Sequence, residues 1–289
     1  MKSRREFLTG VSAVGLSAGL MPVRLIAEEI AQRLPRRRIH SSGEELPIIG
    51  LGNSNAFRRG DAATSREVIS RLLSFGGRYI DCGGPSRLVV AEAVKSLNAI
   101  DDVFLGTYFT GADDTGSRQT AAALLELTGK RSLDLMHNYP EDAVPNWDIF
   151  RRWKDDELTR HIGVSRHVKE AYPAMMQLME TRSVDVLQVN YSLLETEAEE
   201  RILPLAAELG VAVTINRPFI NGRYFDLVRG KDLPPWADEF DCATWAQFSL
   251  KFILSHPAVT CVLTETANPK HAVDNLSAGV GPTARRKRA

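Results

Sequence analysis

Three residues whose side chains can donate, accept or hold a proton each stand at the end of a short apolar run. They are Asp81, Tyr108 and His137. A carboxylate, a phenol and an imidazole are groups with which enzymes carry out general acid and base chemistry. Each also has a structural use. The aspartate could cap a helix or pair with a cation, the tyrosine could fill a pocket, and a lone histidine is more often a buried structural residue.

The elements that position such residues are clearest between residues 183 and 219. A valine-rich run at residues 183–192 and a second apolar run at residues 211–215 are typical of strands buried on both faces. Apolar residues recur at helical spacing between them, Thr196 and Glu199 have the capping-box spacing, and Gly210 stands at a helix stop. This pattern predicts two parallel strands joined by a helix.

The same alternation of strand and helix recurs along the chain. It gives about eight strand–helix pairs, which is the count of a (β/α)8 TIM barrel. An open doubly wound sheet rarely needs so many, and no G-x-G-x-x-G follows the first strand. In a barrel the carboxyl ends of the strands hold the chemistry, and Asp81 lies at such an end. The predicted strands lie at residues 48–51, 78–81, 103–107, 133–136, 161–164, 183–192, 211–215 and 259–263, and the predicted helices at residues 64–75, 87–97, 119–127, 147–153, 168–179, 196–209 and 269–276.

Composition narrows the class of protein. The chain has 289 residues, with 36 basic and 36 acidic side chains, so its formal net charge is zero and bulk electrostatics gives no case for a nucleic-acid partner. Its three cysteines, Cys82, Cys242 and Cys261, are scattered and odd in number. They indicate neither a disulfide framework nor a metal site. The length suffices for one large domain.

Residues 1–37 stand apart from the barrel pattern. The paired Arg4 and Arg5, followed by Phe7 and Leu8 and a short Gly/Ser-diluted apolar run, resemble a twin-arginine export signal. The run is too short to span a membrane, and a frayed amphipathic helix is the alternative. We therefore expect a signal peptide and solvated linker at residues 1–37, a barrel at residues 38–289, the twin-arginine machinery as a partner, and a periplasmic or otherwise exported location.

Several motifs, in order and at fitting spacing, resemble the aldo/keto reductase family. They are residues 44–52, 79–81, 161–165, 187–192 and 216–222, followed by the last strand with Asn268 and Asn275. The resemblance runs from about residue 38 to the C-terminus and matches an exported bacterial branch. It implies the (β/α)8 barrel, a nicotinamide cofactor (NAD or NADP) and a small-molecule carbonyl substrate.

The resemblance also implies catalytic roles, with two departures from the family pattern. An aspartate at the position of Asp81 orients the catalytic groups, and a histidine aligned with His137 polarises the substrate carbonyl. The family's acidic tyrosine is missing from the loop after Asp81, where Ser86 or Arg87 falls nearest. Its lysine is replaced by Tyr108. Tyr108 is then either a relocated acid or a residue that fills the vacated pocket.

The same resemblance assigns the nicotinamide end of a cofactor site. Gly52 would touch the ring, and Ser165, Gln188 and Asn216 would hold the carboxamide and ring. Arg217 could bind a pyrophosphate. Residues 223–243 interrupt the strand–helix rhythm and resemble the family's long loop over the cofactor.

The adenosine end would lie at the last strand and helix, with Glu265, Thr266, His271 and Asn275. NADPH-using members place basic side chains near the 2′-phosphate, and Glu265 lies in that region, so NAD(H) is expected to bind at least as well as NADP(H).

The sequence thus predicts an NAD(P)H-dependent carbonyl/alcohol oxidoreductase whose catalytic site is weakened or rebuilt. The alternative is a non-catalytic exported barrel that binds a nucleotide, a small ligand or a protein partner. The missing tyrosine and lysine favour the alternative, and the retained Asp81, His137 and Gln188 favour the enzyme.

Overall fold

The structure is a computed structural model that describes residues 33–109 and 113–282. Eight parallel strands close into a barrel, which confirms the predicted (β/α)8 architecture. An antiparallel hairpin, β1 (Arg36–Arg38) and β2 (Glu45–Pro47), precedes the barrel. The barrel strands are β3 (Ile49–Leu51), β4 (Tyr79–Cys82), β5 (Phe104–Tyr108), β6 (Leu133–Asn138), β7 (Thr159–Ser165), β8 (Val186–Asn190), β9 (Ala212–Asn216) and β10 (Val259–Thr264).

The strands follow one another around the barrel in chain order, and β10 pairs with β3 to close it. Helices lie between successive strands and pack outside them. The α-helices of the described residues are α1 (Asn55–Arg58), α2 (Ala62–Ser74), α3 (Ser86–Ser96), α4 (Asp114–Thr128), α5 (Pro140–Asp155), α6 (Tyr172–Glu180), α7 (Ile202–Leu209), α8 (Arg223–Val228), α9 (Trp245–Leu254) and α10 (Pro269–Ser277).

Two predicted details of the helices are corrected. Helix α5 begins at Pro140, seven residues before the predicted start near Trp147, because the chain continues as a helix through Pro145 with one non-helical residue, Asn146. The predicted capping box fails, since the Thr196 side chain makes no capping hydrogen bond and only a 3-10 turn follows it. Asn268 does cap α10, accepting from the Lys270 N–H at 2.9 Å.

Residues 36 and 37, the end of the predicted solvated linker, instead form strand β1 together with Arg38. Its outer residues, Arg36 and Arg38, are exposed, whereas Arg37 turns inward. The Arg37 guanidinium donates to the carbonyl of Leu254, at 2.7 Å, and to that of Val259. Alternation along the strand therefore gives one arginine of the three a structural role.

The hairpin closes the amino end of the barrel. Buried Ile39 and Leu46 join one cluster with strand residues such as Tyr79 and Phe104, whose rings pack edge to face at 5.1 Å. Glu44 accepts hydrogen bonds from Arg78 at 3.0 Å and Arg160 at 2.6 Å. The hairpin is thus held by apolar burial and by partly buried ion pairs. Within the described residues, no helix is long and apolar enough to cross a membrane.

Truncating Leu46 to alanine is expected to lower the free energy of unfolding by about 2–5 kcal/mol, because the side chain is fully buried where the hairpin meets the barrel. Urea unfolding followed by circular dichroism measures this change. Glu45→Ala on the same strand is the control. Glu45 is 49% exposed and its ion pair with Arg38 is long, at 3.9 Å, so a shift within about 0.5 kcal/mol is expected. Equal shifts in the two variants would contradict the closing role of Leu46.

Candidate active site

A cavity of about 1010 Å³ opens at the carboxyl end of the barrel. Each of the eight strands contributes to it, either through its own carboxyl end or through the loop that follows, so it lies where barrel folds place their chemistry. We call it the mouth. It is lined by Asn53, Asn55, Arg58, Gly83, Gly84, Arg87, Tyr108, Tyr139, Ser165, His167, Gln188, Asn216, Arg217, Pro218, Phe219, Asn221, Gly222, Phe225, Glu265, Thr266 and Ala267.

A second cavity, of about 520 Å³, lies near the amino ends of β8 and β9. Its charged lining includes Lys154, which is paired with buried Asp185 through two contacts of 2.7 Å. Asp185 also accepts from the Ile162 N–H at 2.9 Å. These contacts satisfy one another, and residues at the amino end of a barrel serve stability, so we place the candidate site in the mouth.

At the floor of the mouth, Tyr108 meets Asp81. The Tyr108 hydroxyl lies 2.6 Å from Asp81 Oδ2 and also contacts Gln188 Oε1. The register explains the meeting: Asp81 pairs with Gly106, and Tyr108, two residues further along β5, lies on the same face. A side chain at Gly106 would meet Asp81 Oδ1 at 3.0 Å and the Tyr79 hydroxyl at 2.8 Å, so glycine leaves space for the contact.

Counting the protons available to Asp81, Tyr108 and Gln188 indicates which protonation state gives them the most hydrogen bonds. The phenol has one proton, yet it lies against two acceptors, Asp81 Oδ2 and Gln188 Oε1. If Asp81 is protonated, its hydroxyl donates to Tyr108 and the phenol donates to Gln188, so each of the two short contacts has one proton, whereas Asp81 Oδ1 keeps no partner among the described residues. Burial raises the pKa of Asp81 to about 7, against the hydrogen bonds from Tyr108 and Gln188, so the protonated form is accessible at neutral pH.

The phenol itself is not tuned to be a strong acid. Burial raises the pKa of Tyr108 well above its ordinary value, and the charge of Asp81 raises it further.

Gln188 connects the floor to the neighbouring strands. Its Oε1 accepts from Ser165 at 2.9 Å and from the Asn216 amide at 3.3 Å, and its Nε2 lies 3.4 Å from Asp81 Oδ2. The predicted cofactor contacts Ser165, Gln188 and Asn216 are therefore brought together, but they bond to Tyr108 and to one another. Asn216 keeps one buried oxygen, Oδ1, with no hydrogen-bond partner among the described residues.

His137, for which the resemblance implied a hydrogen bond to the substrate carbonyl, is not among the residues that line the mouth. His137 is fully buried below the mouth, its Nε2 is 3.2 Å from the Tyr79 hydroxyl, and its ring stacks on Tyr108 with centroids 5.3 Å apart. Burial lowers the pKa of His137 to about 3, so the ring is neutral at physiological pH. The predicted strand was two residues too short: β6 continues to Asn138, and Tyr139 reaches the mouth instead.

The loop after β4 supplies a cation but no phenol. Ser86, which falls nearest the missing tyrosine, is fully buried and does not line the mouth. Arg87 does line it. Its Nε donates to Thr107 Oγ1 at 2.7 Å, and its guanidinium lies 4.9 Å from the Phe109 ring centroid.

The residues assigned to the adenosine end are divided. Glu265 and Thr266 line the mouth, and Glu265 forms an ion pair with Arg58 at 3.6 Å. A side chain at Gly52 would meet Glu265 Cγ at 2.8 Å, so Gly52 serves close packing beside the mouth. Neither His271, which is exposed on α10, nor Asn275, which is buried there, lines the cavity.

Arg217 begins a strained loop. Arg217, Ile220 and Asn221 all have left-handed backbone angles, with φ of 51°, 52° and 54°. The Arg217 guanidinium donates to Asn221 Oδ1 at 3.2 Å and to the His167 carbonyl at 3.4 Å. Backbone strain of this kind is concentrated at functional sites, and here it turns the loop over the mouth.

Sequence reasoning missed Arg58, Tyr139 and Phe225 as lining residues. Tyr139 follows β6 directly, so a correct strand end would have found it. Phe225 lies within the interrupted segment at residues 223–243, whose apolar residues were assigned to a covering loop, and it is 39% exposed. The described residues contain no group of three or more histidine, cysteine or acidic side chains that could hold a metal ion.

Comparisons with known proteins agree with this architecture. A model of the aldo/keto reductase family matches residues 48–283. An aldo/keto reductase of Klebsiella pneumoniae, solved with NADP and acetate, is 22% identical, with a TM-score of 0.67 and coverage of 84% of this chain and 89% of that one. The holo form of an aldo-keto reductase of Bacillus halodurans is 17% identical, with a TM-score of 0.71 and coverage of 87% and 93%. A search of curated proteins gave no match.

At these identities the structural likeness speaks for the fold, whereas the family model spans most of the chain itself. The mouth, the eight strands in order and the matched residues 48–283 agree. The chain belongs to the aldo/keto reductase family.

Proposed function

We propose that the protein is a nicotinamide-dependent oxidoreductase that interconverts small carbonyl compounds and alcohols, with a rebuilt acid formed by Tyr108 and Asp81. The observation that carries the proposal is the 2.6 Å contact between the hydroxyl of Tyr108, a residue that lines the mouth, and the buried Asp81. A phenol at the cavity surface joined to a buried carboxyl group provides a proton donor with a reserve behind it.

The residues present fit a nicotinamide cofactor. The buried Oδ1 of Asn216 is an acceptor that no described residue donates to, and a carboxamide N–H is a suitable donor for it. Arg217 and Arg58 place positive charge at the rim, where a pyrophosphate would be stabilised. Similar proteins from Klebsiella pneumoniae were crystallised with NADP or NADPH, which supports a cofactor of this class.

When bound, the nicotinamide supplies a hydride to the carbonyl carbon. The chain's own residues then handle the proton. Tyr108 turns its hydroxyl from Gln188 to the substrate oxygen and donates its proton there, while Gln188 Oε1 keeps its hydrogen bonds from Ser165 and Asn216. Asp81, in its protonated form, returns a proton to Tyr108 and is later reprotonated from solvent. Asp81 positions the phenol throughout, and Gln188 positions it until the substrate oxygen takes its place.

We expect this acid to be weaker than one tuned by a neighbouring lysine, because the pKa of Tyr108 is raised by burial. The same raised pKa favours the alternative, a barrel that binds a nucleotide or small ligand without turning it over. Two measurements separate them. Oxidation of NADH and NADPH with a panel of aldehydes and quinones tests turnover. Denaturing the purified protein and identifying released nucleotide by absorbance and mass tests binding alone.

We predict that NADH binds at least as tightly as NADPH, because Glu265 lies in the mouth where a 2′-phosphate would meet a carboxylate. The ion pair with Arg58 at 3.6 Å and the 43% exposure of the Glu265 side chain reduce the repulsion. Glu265→Gln is therefore expected to strengthen NADPH binding by about two- to fivefold, the size of an exposed charge interaction. Protein fluorescence during titration measures both affinities.

The matched control for this prediction is NADH, whose affinity for Glu265→Gln should change much less because it lacks the 2′-phosphate. Tenfold tighter binding of NADPH than of NADH by the unaltered protein would place Glu265 away from the 2′-phosphate.

We also propose that the protein is exported folded by the twin-arginine route, on the evidence of Arg4, Arg5, Phe7 and Leu8, which lie outside the described residues. Changing both arginines to lysine should retain the protein in the cytoplasm, as immunoblots of periplasmic and cytoplasmic fractions would reveal. Unimpaired export of this double variant would contradict the proposal.

A further inference from the structure

Arg87 differs from the other arginines of the mouth in its electrostatic surroundings. Arg58 is paired with Glu265, and Arg217 is close enough to the same carboxylate to lower its pKa. Among the described residues, no carboxylate lies within ion-pair distance of Arg87. Burial is the main effect on its pKa, which it lowers, yet a guanidinium stays charged at neutral pH.

The Arg87 head group is also fixed in place. Its Nε is held by Thr107 Oγ1 at 2.7 Å and its plane lies over Phe109. These contacts leave the two terminal nitrogens without a hydrogen-bond acceptor among the described residues, at the edge of the mouth. A partly buried cation without a counter-charge is costly unless a ligand supplies the negative charge.

The position of Arg87 separates it from most of the residues that fit the cofactor. Ser165, Gln188, Asn216 and Arg217 lie at the ends of β7 to β9, and Arg58 follows β3. Arg87 follows β4 and is bonded to Thr107 of β5, and Tyr139 follows the neighbouring β6. Tyr108 and Tyr139 line the same cavity as Arg87, with ring centroids 6.0 Å apart, and the Arg166 guanidinium lies over the Tyr139 ring. The arrangement suits the apolar body and charged end of one small molecule.

We propose that Arg87 is a substrate-binding residue that selects carbonyl compounds carrying a carboxylate at the end of an apolar or aromatic body. The proposal rests on the proposed oxidoreductase function and names its substrate class. The paired oxygens of a carboxylate match the two terminal nitrogens of a guanidinium, and a charge-assisted pair of this kind changes affinity by about tenfold to a hundredfold.

The test compares 4-carboxybenzaldehyde with its methyl ester, which has nearly the same shape but no charge. For the unaltered protein, kcat/KM should be about tenfold to a hundredfold higher for the acid, mainly through a lower KM, and the preference should shrink as salt is raised. Arg87→Met should remove the preference, and Arg87→Lys should retain part of it. Arg71→Met removes the same charge from exposed α2 and should leave the preference intact.

A second readout does not depend on turnover. Calorimetry should detect binding of 4-(hydroxymethyl)benzoate, the alcohol product, more tightly than its methyl ester, and Arg87→Met should abolish the difference. If no aldehyde is reduced but this difference is found, the oxidoreductase proposal fails and the carboxylate site stands. Equal KM and equal binding for acid and ester in the unaltered protein, or a preference that persists in Arg87→Met, overturns the proposal. If Arg87→Met does not fold, the salt dependence of the unaltered protein and the Arg87→Lys variant decide it.

Discussion

Replacing Tyr108 with phenylalanine is expected to lower kcat/KM for carbonyl reduction by about 10²–10⁴-fold, the usual contribution of a positioned general acid. The change removes one oxygen, the atom that lies 2.6 Å from Asp81 and contacts Gln188, and keeps the ring that stacks on His137. Steady-state oxidation of NADH or NADPH with the best aldehyde of a panel measures the effect.

Two further variants identify the origin of that loss. Tyr139→Phe removes the other phenol of the mouth, which is not bonded to Asp81, so a change of less than about tenfold is expected. Cofactor affinity of Tyr108→Phe, measured by fluorescence, should remain within a few-fold of the unaltered protein. Robust turnover that survives Tyr108→Phe but disappears in Asp81→Asn would exclude the phenol as the acid and leave the donor to be found elsewhere.

The contact between Asp81 and Tyr108 could be predicted only in part from the sequence. Repeated apolar runs and helical spacing predicted the barrel, and a barrel brings every strand end to one mouth. The contact itself depends on register, because Asp81 must pair with Gly106 for Tyr108 to lie on the same face. Register is set by packing between strands that are far apart in the sequence, which one-dimensional periodicity does not specify.

His137 illustrates the cost of a small error in strand length. Side chains alternate along a strand, and each residue further along rises by about 3.3 Å, so two residues place a side chain roughly one layer deeper. The apolar run ends at Met136, but β6 continues through His137 and Asn138 because both are buried by pairing with β7. Polar residues at the end of a strand make the strand seem to stop too early in the sequence. Tyr139, which follows β6 directly, was overlooked for the same reason.

The three consecutive arginines at residues 36–38 show the opposite error. A run of like charges predicted solvation, and two of the three side chains are indeed exposed. Arg37 is directed inward by strand alternation and bonds to backbone carbonyls where α9 ends and β10 begins. These carbonyl acceptors come close to Arg37 only after elements distant in the sequence have packed, so no local sequence pattern predicts the contact.

Carbonyl reduction is expected to be fastest below neutral pH and to fall about tenfold for each pH unit above roughly 7, reaching about a hundredfold by pH 9. The proposed relay needs protonated Asp81, because ionised Asp81 only accepts the hydrogen bond of the Tyr108 hydroxyl and has no proton to return. Burial raises the pKa of Asp81 to about 7 from an ordinary value near 4, so the active form exists below that pH and is lost as pH rises through it. A profile of kcat/KM from pH 5.5 to 9.5 at constant ionic strength measures this limb.

The other titratable groups near Asp81 are not expected to contribute to this fall in kcat/KM above pH 7. Burial lowers the pKa of His137 to about 3 and lowers that of His167 from its ordinary value, so both are already neutral where the fall begins. Asp81→Asn cannot ionise, and should therefore give a slower rate that is flat above pH 7. A flat profile for the unaltered protein between pH 6 and 9 would contradict the relay. A fall that persists in Asp81→Asn would assign the titration to another group, with Glu265, whose pKa is also raised by burial, as the next residue to replace.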